Sequence, residues 1–247
     1  MFYRANFIYH KQLESRFWDS DCCMRPVVRA ALLAVVNQVM AAFRNINLSF
    51  DMRDVCDVFV HGSITNYYYD KHSDIDMCFV CDFSRIKRDM PHQNVDLLLK
   101  SIAYSVLAET KPRIFGRRID IEFVDVRYQQ YGPNFYKVGG AYSVLSDKWI
   151  RRTIRVMPEE LKQIKQQARI IYNGMRRQVI DVLARQVDYK QVEALTNHLM
   201  RERKSAYAAS PEQPITPYVV AYRMLRDSKL LGRAYEHALK LRAKNPQ

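Results

Sequence analysis

The chain has 247 residues, 48% apolar and 26% charged, the mix of an ordinary globular protein, which excludes collagen-like, low-complexity and disordered classes. Lys and Arg number 39 against 26 Asp and Glu, and the +13 net charge is lopsided: residues 1–125 hold 16 basic and 16 acidic side chains, residues 126–247 hold 23 and 10. That asymmetry suggests a polyanionic partner, while an odd five cysteines suit reduced thiols better than a disulfide framework. There is no unbroken run of 18 apolar residues, and charges at Arg4, Lys11 and Glu14 interrupt the start. Neither a membrane span nor a secretion signal is expected, and the expected location is the cytoplasm.

In chain order, Pro26 leads an Ala- and Leu-rich segment that predicts a helix over about 26–44. DVCDVFVHG reads as a strand running into Gly62, and DIDMCFVCDF as a second strand. NVDLLLKSIAYSVLAET predicts a second helix, and RIDIEFVDVR a third strand that alternates Ile119, Ile121 and Phe123 with Asp120 and Glu122. QQYGPNFYKVGG is a loop, AYSVLSDKWI a short mixed segment, and from Pro158 onward the pattern is helical, interrupted by the proline-rich SPEQPITP. The reading is α/β (α+β), with a mixed-sheet core over 1–150 and a basic all-helical domain over 151–247.

The segment VHGSITNYYYDKHSDIDMCFV carries the chemistry. Gly62-Ser63 follows a strand, ten residues intervene, and Asp74-Ile75-Asp76 opens the next strand. Carboxylates at i and i+2 of a strand share a face, and like charges held that close call for a cation between them. A third acid from Asp120 or Glu122 would complete a hard, oxygen-only site suited to Mg2+ or Mn2+. A Gly-Ser turn offers backbone N–H groups and a hydroxyl to a phosphate.

Val60-His61-Gly62-Ser63 followed by Asp74-Ile75-Asp76-Met77 resembles the polymerase β-like nucleotidyltransferase superfamily. The chain is most similar to the predicted nucleotidyltransferases of tailed bacteriophages, through Trp18-Asp19, Pro26-Val27-Val28-Arg29, Gly62 to Asp76, Ile121-Glu122-Phe123-Val124, Gly140-Ala141-Tyr142-Ser143-Val144-Leu145, Lys148-Trp149 and VVAYRMLRDSKLL. Met77-Cys78 departs from the Leu-His usual there, and Asp120 adds an acid beside Glu122. The resemblance implies a nucleoside triphosphate (NTP) substrate and transfer of its monophosphate (NMP) to an acceptor hydroxyl, with release of pyrophosphate. It implies Asp74, Asp76 and Glu122, with Asp120 as the alternative third acid, as catalytic ligands of two Mg2+ ions. Gly62, Ser63, Ser73, Tyr142, Ser143 and Lys148 are the expected nucleotide-binding residues. A phage origin would place the protein in the infected host's cytoplasm.

The acceptor expected from the basic second half is RNA, tRNA included, met by Arg151, Arg152, Arg155, Arg176, Arg177, Arg201, Arg203 and Lys204. A protein or small-molecule acceptor is one alternative, and a non-catalytic virion or host-interaction protein retaining the fold is another. Cys78 and Cys81 lie three apart on a strand, so they point to opposite faces and do not chelate zinc. His61 and His72 are expected to be structural or peripheral, and at least one of Tyr67, Tyr68 and Tyr69 packs in the core.

Overall fold

The computed structural model describes residues 7–71, 73–127, 139–185, 189–209 and 215–244. They form two compact units, one over residues 8–154 and one from residue 155 on, the latter also taking in Phe7.

In the first unit, helix α1 (Pro26–Asn45) starts on a proline whose missing N–H costs nothing at the first turn. Its Val28, Leu32, Val35, Val36, Val39, Met40 and Phe43 recur at helical spacing and are buried. By length and composition α1 is apolar enough to cross a membrane, but that stripe lies in the core. Strands β1 (Val55–His61), β2 (Ile75–Cys81), β3 (Arg113–Ile114), β4 (Arg117–Asp125), β5 (Ala141–Ser143) and β6 (Lys148–Arg151) form one sheet in the order β3-β4-β2-β1-β5-β6. Helices α2 (Ser84–Asp89) and α3 (Val95–Thr110) connect β2 to β4, the parallel pair; the other neighbours are antiparallel. The sheet is therefore mixed.

The two sheet faces differ. Ile75, Met77, Phe79 and Cys81 of β2, with Val58, Val60, Ile119, Ile121 and Phe123, join the main core under α1 and α3. On the other face Phe59, Cys78, Val80 and Ala141 make a smaller apolar cluster, beside which the acids stand. Cys78 and Cys81 fall on opposite faces, and all five cysteines are free.

The segment 141–150, read from sequence only as mixed, is the β5–β6 hairpin, with Asp147 at positive φ in its turn. Another tight hairpin joins β3 to β4 through Phe115 and Gly116, both at positive φ. The loop expected at 129–140 lies outside the described residues up to Val138, as does His72, and so does most of the 210–217 linker.

The second unit holds α4 (Pro158–Ala184), α5 (Tyr189–Ala209), α6 (Pro217–Asp227) and α7 (Leu230–Lys244). Helix α4 packs on α6 and α5 on α7, burying Ile164, Ala168, Met175, Val179, Val192, Leu199, Val220, Leu225 and Ala234.

Candidate active site

Register assembles the site. His61 at the end of β1 faces Asp76 of β2, which in turn faces Asp120 of β4, so the three form one row across the sheet. Glu122 sits one pair further along β4, opposite Cys78. His61, Asp76, Met77, Asp120, Ile121 and Glu122 line a cavity of about 40 Å3, close to the roughly 30 Å3 share of one water. Asp74 is exposed just before β2 begins, and its charge is felt at Asp76.

The electrostatics follow from that crowding. Burial pushes the Asp76 carboxyl up to about 6, the charges of Asp120, Glu122 and Asp74 push the same way, and His61 opposes them. Burial works against the His61 imidazolium, but its bond to Glu122 Oε1 at 2.9 Å and the surrounding acids raise its pKa overall. That bond is in turn the main reason the Glu122 carboxyl is held low. The Asp120 carboxylate accepts a hydrogen bond from the Tyr104 hydroxyl of α3. Lys100, one helical turn before Tyr104, has its ammonium 5.5 Å from the Tyr104 ring centre, and its charge helps hold the Glu122 carboxyl low. Sequence reasoning set His61 aside and missed Tyr104 and Lys100. The signal for His61 was its place next to Gly62 at a strand end. Tyr104 and Lys100 reach the site from a helix, which no local pattern reveals.

Gly62 opens a one-turn 3-10 segment, Gly62–Thr65. Its φ is +78°, and a Cβ there would collide with Asp76 Oδ2 and stand 2.9 Å from Asp76 Cγ. We expect Gly62→Ala to cost about 2 kcal/mol or more, from left-handed strain plus displacement of Asp76. Thermal melts check it: an unchanged melting temperature would contradict the close approach. The turn is anchored from below. Buried Asn66 donates to Gly62 O and accepts from the Thr153 hydroxyl at 2.6 Å, and the Thr65 hydroxyl lies 2.7 Å from Gly140 O. Trp18 Nε1 donates to Ile64 O at 2.8 Å, while Trp18 stacks on Trp149, with Tyr142 set edge-on to both.

This scaffold accounts for several residues expected to bind nucleotide. Tyr142 is 2% exposed on the helix-covered face, its hydroxyl donating to Asp147 at 2.9 Å, so the structure does not bring it to the acids. Ser143 is buried and donates to Asp57 at 2.7 Å. Ser63 is buried in the turn. Ser73 accepts from Asp70 N in the turn ahead of Asp74, and its carbonyl is held by buried Arg117, which also pairs with Glu14. Lys148 is exposed on β6, two strands beyond β1. Asp76, Asp120, Glu122 and Gly62 are the expected residues that converge, while Asp74 is exposed beside them and acts on Asp76 through its charge.

The donor set is all hard oxygen, which suits Mg2+ or Mn2+. Among the described residues, no three Asp, Glu, His or Cys side chains stand as a ready-made metal cluster: Asp120 is turned to Tyr104 and Glu122 to His61. The Cβ-free cradle at Gly62 beside Asp76 Oδ2 and a cavity sized for one ion nevertheless fit such a cation. The sequence matches no family model and no curated protein.

Proposed function

We propose that the protein is a metal-dependent nucleotidyltransferase with a polymerase β-like core, moving an NMP from an NTP to an acceptor hydroxyl and releasing pyrophosphate. The observation that carries this reading is the Asp120–Asp76–His61 row lying against a Cβ-free turn. Asp74 and Asp76 would hold the divalent cations. Register supports Asp120 as the third ligand ahead of Glu122, the acid favoured from sequence, because Asp120 lies directly beside Asp76. Bound there, a divalent cation would supply charge neutralisation at the phosphates and a lowered pKa at the acceptor hydroxyl. The chain's own groups do the rest. The Gly62–Ser63 backbone receives the outer phosphates, His61 fixes Glu122, and Tyr104 orients Asp120.

RNA, tRNA included, is the proposed acceptor, on the strength of the basic second half. In that unit Lys162, Lys165 and Arg169 line a groove along α4 with Pro158, Leu161 and Gln166. Some of the cations expected to meet RNA have other contacts: Arg151 donates to Gly139 O, Arg203 lies over the Tyr222 ring, and Arg177 donates within its own helix. Incubation with each α-phosphate-labelled NTP and Mg2+, with RNA, protein extract or small molecules as acceptors, tests the reading. Label in RNA is expected. Label only in protein or small molecules would redirect the acceptor, and no metal-dependent label in any fraction would reject the activity.

A further inference from the structure

We infer that the β3–β4 corner is a second phosphate-binding subsite, for the backbone phosphates of a single-stranded RNA acceptor, on the opposite side of the acids from the Gly62 turn. The inference rests on the nucleotidyltransferase reading for the word acceptor, but the site stands on its own observations.

Leu107, Lys111, Pro112, Arg113, Arg118 and Ile119 line a cavity of about 400 Å3 in the first unit. Three of the six are cationic. Arg113 and Arg118 are direct cross-strand partners, an arrangement that repels and destabilises a hairpin. Several other arginines of this unit meet carboxylates, as Arg53 meets Asp51, Arg85 meets Asp54 and Arg127 meets Asp125, whereas Arg25, Arg44 and Arg88 do not. Among the described residues Lys111, Arg113 and Arg118 make no ion pair. Lys111 is also held at positive φ, closing α3, where the chain turns toward β3. Arg113 donates to Gly116 O at 2.9 Å, so three like charges stand around the cavity with no carboxylate in contact, and a bound polyanion would compensate them.

Placement selects the polyanion. Burial alternates strictly along β4, so Arg118 shares the exposed face with Asp120 and Glu122. One strand repeat, roughly 7 Å, separates Arg118 from Asp120. Gly62 follows the end of β1, on the far side of β2 from β4, about two strand spacings or 10 Å away. A triphosphate at the Gly62 turn and an RNA strand at the β3–β4 corner would therefore approach the acids from opposite sides. That is the geometry a transfer between them needs.

The test uses the full-length protein, a labelled single-stranded RNA decamer and, separately, inorganic triphosphate. Lys111→Gln with Arg118→Gln should weaken decamer binding about tenfold at 50 mM salt and flatten its salt dependence by about 1.4 log units per decade, as loss of two phosphate contacts requires. Triphosphate binding should stay unchanged. The melting temperature should not fall, because the substitutions remove repulsion, so a folding defect is separable. Unchanged decamer affinity in the double variant would overturn the subsite, and so would a loss confined to triphosphate. If the decamer result holds while wild type shows no metal-dependent transfer, the subsite stands and the transferase reading fails.

Discussion

Asp76→Asn should abolish nucleotidyl transfer while making the metal-free protein more stable. Asp76 is the centre of the row, with Asp120 on one side, His61 on the other and the Gly62 turn pressed against its Oδ2. Losing its charge would remove the proposed shared metal ligand, and a fall of at least about 10³-fold in kcat, or ~4 kcal/mol, is expected. The stability effect has the opposite sign. Burial, helped by the neighbouring acids, raises this carboxyl from 3.8 to about 6. A raised carboxyl contributes stability that is fully present below its unfolded pKa and is lost as pH rises through its folded pKa. Between about pH 4 and 6 the wild type therefore weakens, by ~3 kcal/mol once Asp76 is ionised. Asp76→Asn escapes that loss. Its melting temperature should exceed the wild type's by several degrees at pH 7 and converge with it below about pH 4. Equal melting curves at both pH values would contradict the crowding of charge around Asp76.

Asp120→Asn should damage transfer more than Glu122→Gln does. Both substitutions keep shape and remove charge. Asp120 is the direct lateral neighbour of Asp76, whereas Glu122 sits one pair along and is already hydrogen-bonded to His61. We expect about 10²-fold or more from Asp120→Asn and about tenfold from Glu122→Gln, measured as kcat with saturating Mg2+ and NTP. A larger loss from Glu122→Gln would restore the assignment favoured by the sequence resemblance, and would make the His61–Glu122 pair part of the metal site.

Much of the first unit was legible because its elements are strongly periodic. The helix at Pro26 and the strands ending in His61 and beginning at Ile75 stand within a residue or two of where the pattern placed them. Strict alternation gave β4 its two faces, and therefore put Asp120 and Glu122 together. Which of them lies beside Asp76 depends on the register of a parallel pair joined through α2 and α3, and nothing local encodes that. The β5–β6 hairpin was missed because strands of three and four residues are too short to show a period. Tyr142 and Trp149 stood out as motif residues for a structural reason. They pack with Trp18 to support the turn that carries Gly62. A motif that serves the scaffold reads the same in sequence as one that serves chemistry. The basic excess was legible as a number, but its distribution was not. Lys111, Arg113 and Arg118 lie in the half whose net charge is zero, where only the fold gathers them.

The most direct test of the central claim is calorimetric titration of Mn2+ into the protein in the presence of a non-hydrolysable NTP analogue, for wild type and Asp76→Asn. Saturable Mn2+ binding by the wild type, enhanced by the analogue and lost in the variant, is the expected result. Equal Mn2+ binding by both proteins, or none by the wild type with analogue present, would contradict it.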